Sequence, residues 1–399
     1  MEYHKKYIKY KKKYNNLKYN IIGGSNFNEK KLNNFYFNVK IYYILLKKLK
    51  PYELKITDSI TMKKEDDKFI NMVSNLKNSI YKDTKYKLIQ KEVARKQKQL
   101  QNTLSNKYKI KFDNKRVSRA WCKLYEIYRE LNFFNNFKKD INMFFICEAP
   151  GMWIHSTMDY FKRHMNKKFK WKAQSLKSDI ALGDNYGFMK ETRNNWDYGV
   201  LGDGDITKYE NLEYYKNKYG EFDCVLGDCG LSYNVEKNLS NYNFAIYQML
   251  YSLTLLRKNG NFILKMVGTY KDPLFLSLLE YVTSMFNKVY ILKASRNFSS
   301  SENYIVGIGY NKTKDLSKDF IEILKKYKEG EYVFPLSKIS SNFVKNYFSV
   351  KKELIDYEIN NINFYKFLIS NKEKLNIFKS NLDKYIKNQN NKWIKKYLL

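Results

Sequence analysis

The sequence predicts an α/β fold in which a mostly parallel sheet carries helices on both faces, with helical extensions at the N- and C-terminal ends. Short apolar runs, many of them ending in Gly, Asp or Pro, alternate with segments of helical pattern in the central part of the chain. They are MFFICEAPG (143–151), FDCVLGDCG (222–230), GNFILKMVG (260–268), KVYILKA (288–294) and NYIVGIGY (303–310). Strands that alternate with helices indicate βαβ units and a mostly parallel sheet. The last two runs follow each other closely, which predicts an antiparallel pair at one edge of the sheet.

Composition divides the chain into four segments. Residues 1–25 are a Lys/Tyr-rich leader whose tyrosines recur at helical spacing, which predicts a short basic amphipathic helix before a Gly-Gly-Ser break. Residues 26–105 have a mostly helical pattern, and residues 106–312 hold the alternating strands and helices. Residues 313–399 return to a Lys/Asn-rich helical pattern, to which the sequence assigns no function.

The formal net charge is +34, from 74 Lys and Arg against 40 Asp and Glu. Such a basic surface attracts polyanions, of which nucleic acid is the commonest. An AT-rich coding bias towards Lys, Asn, Tyr and Ile is an equally good source of the excess charge. In either case the surface attracts phosphates without sequence preference, and salt weakens the attraction. The charge therefore supports an RNA partner without identifying one.

Cysteines and histidines give no sign of a metal site. The spacings of the four cysteines, Cys122, Cys147, Cys224 and Cys229, fit no zinc site, and scattered cysteines in a chain of this size are typical of a reducing compartment. The three histidines form no metal-binding or triad pattern. No apolar run approaches the roughly 20 residues that a membrane span needs, and the N-terminus lacks the apolar stretch of a secretory signal. We therefore expect a soluble, intracellular protein.

Charged residues accompany the predicted strands. Asp228 ends the strand in VLGDCG, and Lys265 lies inside the apolar strand of FILKM. Because burying an unpaired ammonium group is costly, Lys265 is either paired within a site or extends to water from an edge strand. An Asp at the end of a neighbouring strand favours the site. Lys123, in SRAWCKLYEI, and Glu302, just before the last strand, add two further charges.

The turn after the first of these strands has the form of a nucleotide cradle. An apolar strand runs into Pro150-Gly151 and then into a helix. Glycine lets the backbone approach a ligand closely, and ligands of such sheets lie beyond the carboxyl ends of the strands. The turn alone is a weak signal, because many buried strands end in Pro-Gly.

Taken in order, the blocks SRAxxKLxEI, CEAPG, GDCG, FILK and SxEnY resemble the FtsJ-like (RrmJ-type) family of ribose 2′-O-methyltransferases over about 200 residues, half of the chain. The resemblance implies a Rossmann-like methyltransferase fold with a seven-stranded sheet, S-adenosyl-L-methionine as cofactor and RNA as substrate. It also implies that Lys123, Asp228, Lys265 and Glu302, which match the family's charged positions one by one, form its Lys-Asp-Lys-Glu catalytic tetrad. The Lys/Tyr-rich leader resembles those of many giant DNA virus proteins, so we expect such an origin.

A further block indicates the cap-specific branch of this family. GDGDITKYEN (202–211) looks like the GDGDIT-x-x-EN stretch of the cap-specific enzymes, and CEAPG is closer to that branch than to the rRNA-methylating one. The chain departs from the family at Met152, where a second glycine is expected. A side chain at that turn should crowd the cofactor's methionine part or shift the loop. The cofactor contacts that the resemblance implies are Ser118, Cys147, Glu148, Ala149, Pro150, Gly151, Asp203 or Asp205, and Asp228.

The resemblance suggests a hypothesis for the chemistry, in which Lys265 accepts the proton of a ribose 2′-hydroxyl and the oxygen attacks the cofactor's methyl group. A free lysine has a pKa of about 10.4, so Lys265 must be neutral in the reactive state. Lys123 opposes protonation of Lys265, whereas Asp228 and Glu302 favour it, and the sequence leaves open which effect wins. This chemistry requires no metal.

The expected substrate is the capped 5′ end of mRNA, with a terminal ribose 2′-hydroxyl as the methyl acceptor. Arg119, Arg296 and Ser300 are candidates to hold its phosphates and ribose. Other capping enzymes are expected as further partners, a membrane is not, and the expected place of action is the host cytoplasm, in a viral factory, or the virion. Two alternatives stay open: internal ribose methylation of rRNA or tRNA, and a non-catalytic RNA-binding or virion-packaged scaffold that keeps the fold.

Overall fold

The computed structural model describes residues 42–50, 52–60, 83–112, 115–177, 184, 186–230, 241–267, 272–295, 302–328, 330–331 and 333–399. The predicted leader helix lies outside these residues, as do Arg296 and Ser300.

The main sheet has seven strands in the order β1-β8-β9-β7-β6-β4-β5. Five of them run in one direction, because β5, β4, β6 and β7 pair in parallel and β8 is antiparallel to β9, which is itself antiparallel to β7. This mixed sheet with helices and helical extensions confirms the predicted α/β fold class. The strands are β1 Tyr42–Leu46, β4 Ile141–Ile146, β5 Phe169–Ala173, β6 Phe222–Gly227, β7 Leu256–Val267, β8 Phe286–Lys293 and β9 Glu302–Tyr310, with β2 Lys111–Phe112 and β3 Lys115–Arg116 in a separate hairpin.

The predicted antiparallel pair exists, but its predicted position at the sheet edge is wrong. β8 and β9 are antiparallel, with Ile291 opposite Ile305. β9 nevertheless lies between β7 and β8, and β1 covers the far side of β8, with Ile44 opposite Ile291. β1 comes from the segment that the pattern describes as mostly helical. Its five residues, YYILL, become a strand because β8 offers free backbone groups for a ladder, which no local pattern reveals.

Helices cover both faces of the sheet and form the C-terminal extension. They are α1 Thr84–Gln97, α2 Gln99–Lys107, α3 Arg119–Leu131, α4 Met152–His164, α5 Phe188–Glu191, α6 Tyr209–Tyr219, α7 Asn241–Leu255, α8 Pro273–Met285, α9 Ser317–Lys328, α10 Ser341–Ser370 and α11 Lys372–Trp393, which is followed by a π-helical turn, Ile394–Leu398. In the described part of the chain, no helix combines the length and apolarity that crossing a membrane would take.

Strand β4 has both faces buried, which places it at the centre of the fold. Phe144 and Ile146 pack into one apolar cluster, and Met143 and Phe145 pack into a second cluster on the opposite face. Full burial of each such side chain contributes about 1.5–3 kcal/mol, so the two clusters hold the central strands in place. Their rigidity matters because the charged residues of the candidate site stand at the carboxyl ends of these strands.

Candidate active site

The four tetrad residues meet as two ion pairs. Lys123 Nζ lies 2.7 Å from Glu302 Oε1, and Lys265 Nζ lies 3.0 Å from Asp228 Oδ1. The side chains of all four are between 12% and 23% exposed, so both pairs are partly buried and only partly screened by water. The structure therefore brings together the four residues that the sequence singled out.

Three neighbouring strands and one helix position these four side chains. Asp228 follows β6, where its backbone N–H donates to the carbonyl of Ile146 on β4 at 3.2 Å. Lys265 lies on β7 and Glu302 begins β9, in a ladder that sets Val267 opposite Glu302. Lys123 comes from α3, whose apolar side chains pack with Met143 and Phe145 of β4 in one cluster.

Opposite charges control the pKa of Glu302. Burial alone would raise its pKa, but the ammonium groups of Lys123 and Lys265 outweigh burial and lower the pKa to about 2. The pKa of Asp228 shifts in the opposite direction, because burial raises it. The ammonium group of Lys265 opposes this rise, and the nearby carboxylate of Glu302 adds to it.

The pKa of Lys265 shows which neighbouring charges dominate its protonation, a question that the sequence left open. Burial works to lower it, but the carboxylates of Asp228 and Glu302 outweigh burial and raise the pKa above its ordinary value. Lys265 also donates to the backbone carbonyl of Asp228 at 2.7 Å. The two carboxylates therefore outweigh burial, and they favour the ammonium form of Lys265.

Three residues that the sequence analysis missed support this cluster. Gln248, buried on α7, accepts from the N–H of Cys229 at 3.3 Å and donates to the carbonyl of Lys265 at 3.2 Å, so one amide joins the ends of β6 and β7. The hydroxyl of Tyr304 donates to Glu302. Gly230 leaves room for the lysine, since a Cβ there would lie 2.9 Å from Lys265 Nζ. A polar Gln inside the apolar pattern of α7 was the one signal that could have pointed to Gln248.

The predicted cofactor turn, 147–151, leads from β4 into α4. Glu148 is buried, and its Oε1 accepts from the N–H groups of Trp153 (2.7 Å) and Ile154 (3.2 Å), which caps the helix. Burial raises the pKa of Glu148, and the nearby Asp228 raises it further. Ala149 and Pro150 are joined by a cis peptide bond, and Gly151 has a φ of 103°, which favours glycine.

Met152 does not stand in the open turn. Its side chain is 6% exposed and packs into the apolar cluster that also contains Trp153 and Phe188. The helix begins at Met152, which directs the side chain to the core. The expectation that this residue crowds the cofactor therefore has no support in the position of its side chain.

The view of the cysteines as scattered thiols is wrong for two of the four. Cys147 and Cys229 form a disulfide between the ends of β4 and β6, although 82 positions separate them in sequence. Adjacent parallel strands end at the same edge, so two distant residues become neighbours. Cys122 and Cys224 are buried thiols that take no part in this disulfide. The inference of a reducing compartment from scattered cysteines therefore loses its basis.

The acidic loop of the GDGDIT block packs against the segment that follows β5. Lys177 N–H donates to the carbonyl of Asp203 at 2.7 Å, and a Cβ on Gly204 would lie 1.9 Å from the carbonyl oxygen of Ser175. Asp203 accepts from the N–H of Asp205 and from the amide of Asn211, so its carboxylate holds the turn itself. Of the two predicted acidic contacts, Asp205 has fewer such internal bonds: it accepts from Thr207 N–H at 2.9 Å.

The remaining predicted residues lie at the borders of the site. Ser118 caps α3, its Oγ accepting from Trp121 N–H at 3.4 Å, and Arg119 is exposed on the first turn of that helix. Arg296 and Ser300 lie outside the described residues. The RNA contacts and the cofactor contacts thus stay predictions.

Residues 116–310 match the FtsJ-like methyltransferase family. Among similar proteins, an uncharacterized protein of Acanthamoeba polyphaga mimivirus is 29% identical over 280 residues, which are 66% of this chain and 35% of that protein. A probable methyltransferase of African swine fever virus is 29% identical over 289 residues, 65% of each chain. A cap-specific mRNA (nucleoside-2′-O-)-methyltransferase 2 of Pongo abelii is 26% identical over 218 residues, 48% of this chain and 27% of that protein. The chain thus spans about a third of the mimivirus protein and just under two thirds of the African swine fever virus protein.

Proposed function

We propose that this chain, whose residues 116–310 belong to the FtsJ-like methyltransferase family, is a cap-specific mRNA ribose 2′-O-methyltransferase. The observation that carries the proposal is the pair of ion pairs, Lys123–Glu302 and Lys265–Asp228, at the carboxyl edge of the sheet. One lysine beside two carboxylates and a second lysine is an arrangement suited to moving a proton from a hydroxyl group.

The residues beside the turn 147–151 fit S-adenosyl-L-methionine, which we propose as the methyl donor. The carboxylates of Asp205 and Asp228 suit the hydroxyl and ammonium groups of such a ligand. Gln174, directly after β5, is fully buried, and neither polar atom of its amide has a partner among the described residues. An unsatisfied buried amide is costly, so a polar ligand beside it would stabilise the site. When bound, the cofactor supplies an electrophilic methyl group on a sulfonium.

The chain's own residues then manage the proton of the 2′-hydroxyl. The carboxylates of Asp228 and Glu302 favour the protonated form of Lys265, so Lys265 must first lose its proton. Its neutral amine then accepts the proton of the ribose 2′-hydroxyl. Lys123, paired with Glu302, offers a positive charge near the oxygen as that oxygen gains negative charge. Alignment of the two reactants contributes much of the acceleration, with an effect of roughly 7–11 kcal/mol in favourable cases.

Two observations, one on the sequence and one on its relatives, support the mRNA cap as the proposed target. The GDGDIT block looks like that of cap-specific enzymes, and the relatives include enzymes of that name in Pongo abelii and Mus musculus. The viral relatives support the further proposal that the chain acts in an infected host cell, in a viral factory, or is packaged in the virion.

The test is transfer of labelled methyl groups from S-adenosyl-L-methionine to a short capped RNA and to the same RNA without a cap. We expect transfer to the capped RNA alone, at the 2′-oxygen of a terminal nucleotide, located by nuclease digestion and mass spectrometry. Lys265→Ala should abolish it, whereas Lys258→Ala, an exposed lysine on the same strand, should not. Equal transfer to both RNAs would move the assignment to internal ribose methylation, and transfer to neither would favour the scaffold.

A further inference from the structure

Helix α3 has a second polar contact, one turn beyond Lys123. Glu126 is 0% exposed, and its carboxylate accepts from both the backbone N–H (2.8 Å) and the hydroxyl of Ser295. It also accepts from the indole N–H of Trp393, the last residue of α11. One buried carboxylate thus joins the helix of Lys123, the second residue after β8 and the C-terminal helix.

Aromatic packing and a further carboxylate fix the C-terminal segment on the same helix. The Trp393 ring lies 6.3 Å from the ring of Trp121 and is itself buried. One turn of α3 after Glu126, Glu130 accepts from the hydroxyl of Tyr397 at 2.7 Å and pairs with Lys396. The end of the chain is therefore bound along one side of α3 through two consecutive turns.

The same helix holds both ends of one connection in the sheet. The chain leaves β8 through Ser295, which is bound to Glu126, and enters β9 at Glu302, which is bound to Lys123. Glu126 and Lys123 are three residues apart, so they lie on adjacent turns of one helix face. A shift of α3 along the sheet would lengthen both contacts together.

We propose that Trp393, acting through Glu126, is a positioning residue that sets Lys123 opposite Glu302, so that the C-terminal helix completes the active site. The inference rests on the proposed function, because the residue that Trp393 would position, Lys123, belongs to the proposed catalytic tetrad. Loss of the indole N–H would leave a buried carboxylate oxygen with one donor fewer and let α3 relax away from β9. Misplacement of about 1 Å can reduce turnover by about a hundredfold.

The test replaces Trp393 by Phe, which keeps an aromatic ring and removes the donor. The matched control is Trp196→Phe, which also removes one indole N–H bond, to Thr192 at 3.0 Å, at the edge of the sheet beside β5. We expect Trp393→Phe to lower kcat for RNA methylation at least tenfold with an unchanged KM for S-adenosyl-L-methionine. The midpoint of the pH profile should move upwards, because a retreating Lys123 no longer opposes protonation of Lys265.

A purely stabilising contact would give another result. In that case kcat would fall only in proportion to the folded fraction, as in Trp196→Phe, and the pH midpoint would stay where it is; that outcome overturns the proposal. Ser295→Ala, which removes a second side-chain donor to Glu126, should move the midpoint in the same direction.

A measurement independent of activity separates this inference from the proposed function. The rate at which an amine-reactive acylating reagent labels Lys123 is followed by peptide mass spectrometry in the full-length chain, with the exposed Lys258 of β7 as the internal reference. We expect several-fold faster labelling of Lys123 in Trp393→Phe than in the wild type or in Trp196→Phe. Equal rates would overturn the inference even if the wild type methylates RNA, and faster labelling in a chain without transfer would sustain the positioning while refuting the proposed function.

Discussion

The pair Lys265–Asp228 lies within the sheet, whereas the pair Lys123–Glu302 joins the sheet to helix α3. In the first pair, Asp228 directly follows β6 and Lys265 lies on the adjacent parallel strand β7; the register of these strands is fixed by backbone hydrogen bonds and by two apolar clusters. The second depends on the position of a helix that is bound at its far turns by residues near the C-terminus.

This difference shows that the two ion pairs of the site are held in position by different kinds of interaction. A strand ladder holds its side chains by many equivalent bonds, so a single substitution moves them little. A helix packed on a sheet has no such ladder: the position of α3 depends on its buried apolar side chains, among them Trp121 and Leu124, and on the polar contacts of Glu126 and Glu130. Three predictions examine this contrast, in order of decreasing effect.

Removal of the two lysines should have unequal consequences. Lys265→Met removes the proposed proton acceptor and should lower kcat by about a hundredfold to ten-thousandfold, whereas Lys123→Met removes a neighbouring charge and should cost about ten- to hundredfold. Single-turnover methylation measures both, with binding of S-adenosylhomocysteine by calorimetry as the check on folding. Equal losses would mean that the two pairs act as one unit and that the contrast between them is structural only.

The pH dependence of turnover tests the protonation state of Lys265 in the pair Lys265–Asp228. Because the raised pKa keeps Lys265 protonated at neutral pH, the neutral fraction grows about tenfold per pH unit until the pH approaches that pKa. Between about pH 7 and pH 9, kcat should therefore rise by up to about a hundredfold, with a slope near one. Lys258→Ala should show the same slope, and a flat profile would exclude Lys265 as the acceptor that limits turnover.

Reduction of the disulfide tests how firmly the ends of the strands are held. The Cys147–Cys229 link closes a loop of 82 positions in the unfolded chain, so its removal should lower the free energy of unfolding by about 2–4 kcal/mol. Urea unfolding with and without a phosphine reductant measures the change. In Cys229→Ala, which lacks the link, the reductant should have no effect. Equal midpoints for the oxidised and reduced wild type would contradict the prediction.

Much of the site could be predicted because its residues stand within short, ordered blocks. Asp228 and Lys265 are charged residues at the end of or inside apolar strands, which is unusual enough to be noticed locally. Glu126 and Trp393 carry no such signal: a Glu in an amphipathic helix and a Trp near a basic terminus are both ordinary. Their contact joins positions 267 residues apart, and no local pattern encodes it.

Local sequence patterns also could not predict the disulfide or the edge strand β1. Cys147 and Cys229 each look like a small apolar residue at the end of a strand, and only the adjacency of β4 and β6 brings them together. Strand β1 lies in a segment of helical texture, and β8 supplies the partner that makes it a strand. In both cases the deciding interaction is with a distant segment.

By itself the sequence determined the fold class, the alternating order of the central strands and helices, and the unusual charges Asp228 and Lys265, because apolar periodicity and charges within apolar strands are properties of short segments. Lys123 and Glu302 were added by the resemblance of ordered sequence blocks to the FtsJ-like family. The tertiary structure alone decided that β9 lies inside the sheet, that two cysteines are joined, that Met152 packs into the core, and that the pKa of Lys265 is raised and not lowered. These depend on distances between segments far apart in the chain, and electrostatic and packing energies follow those distances rather than the order of residues.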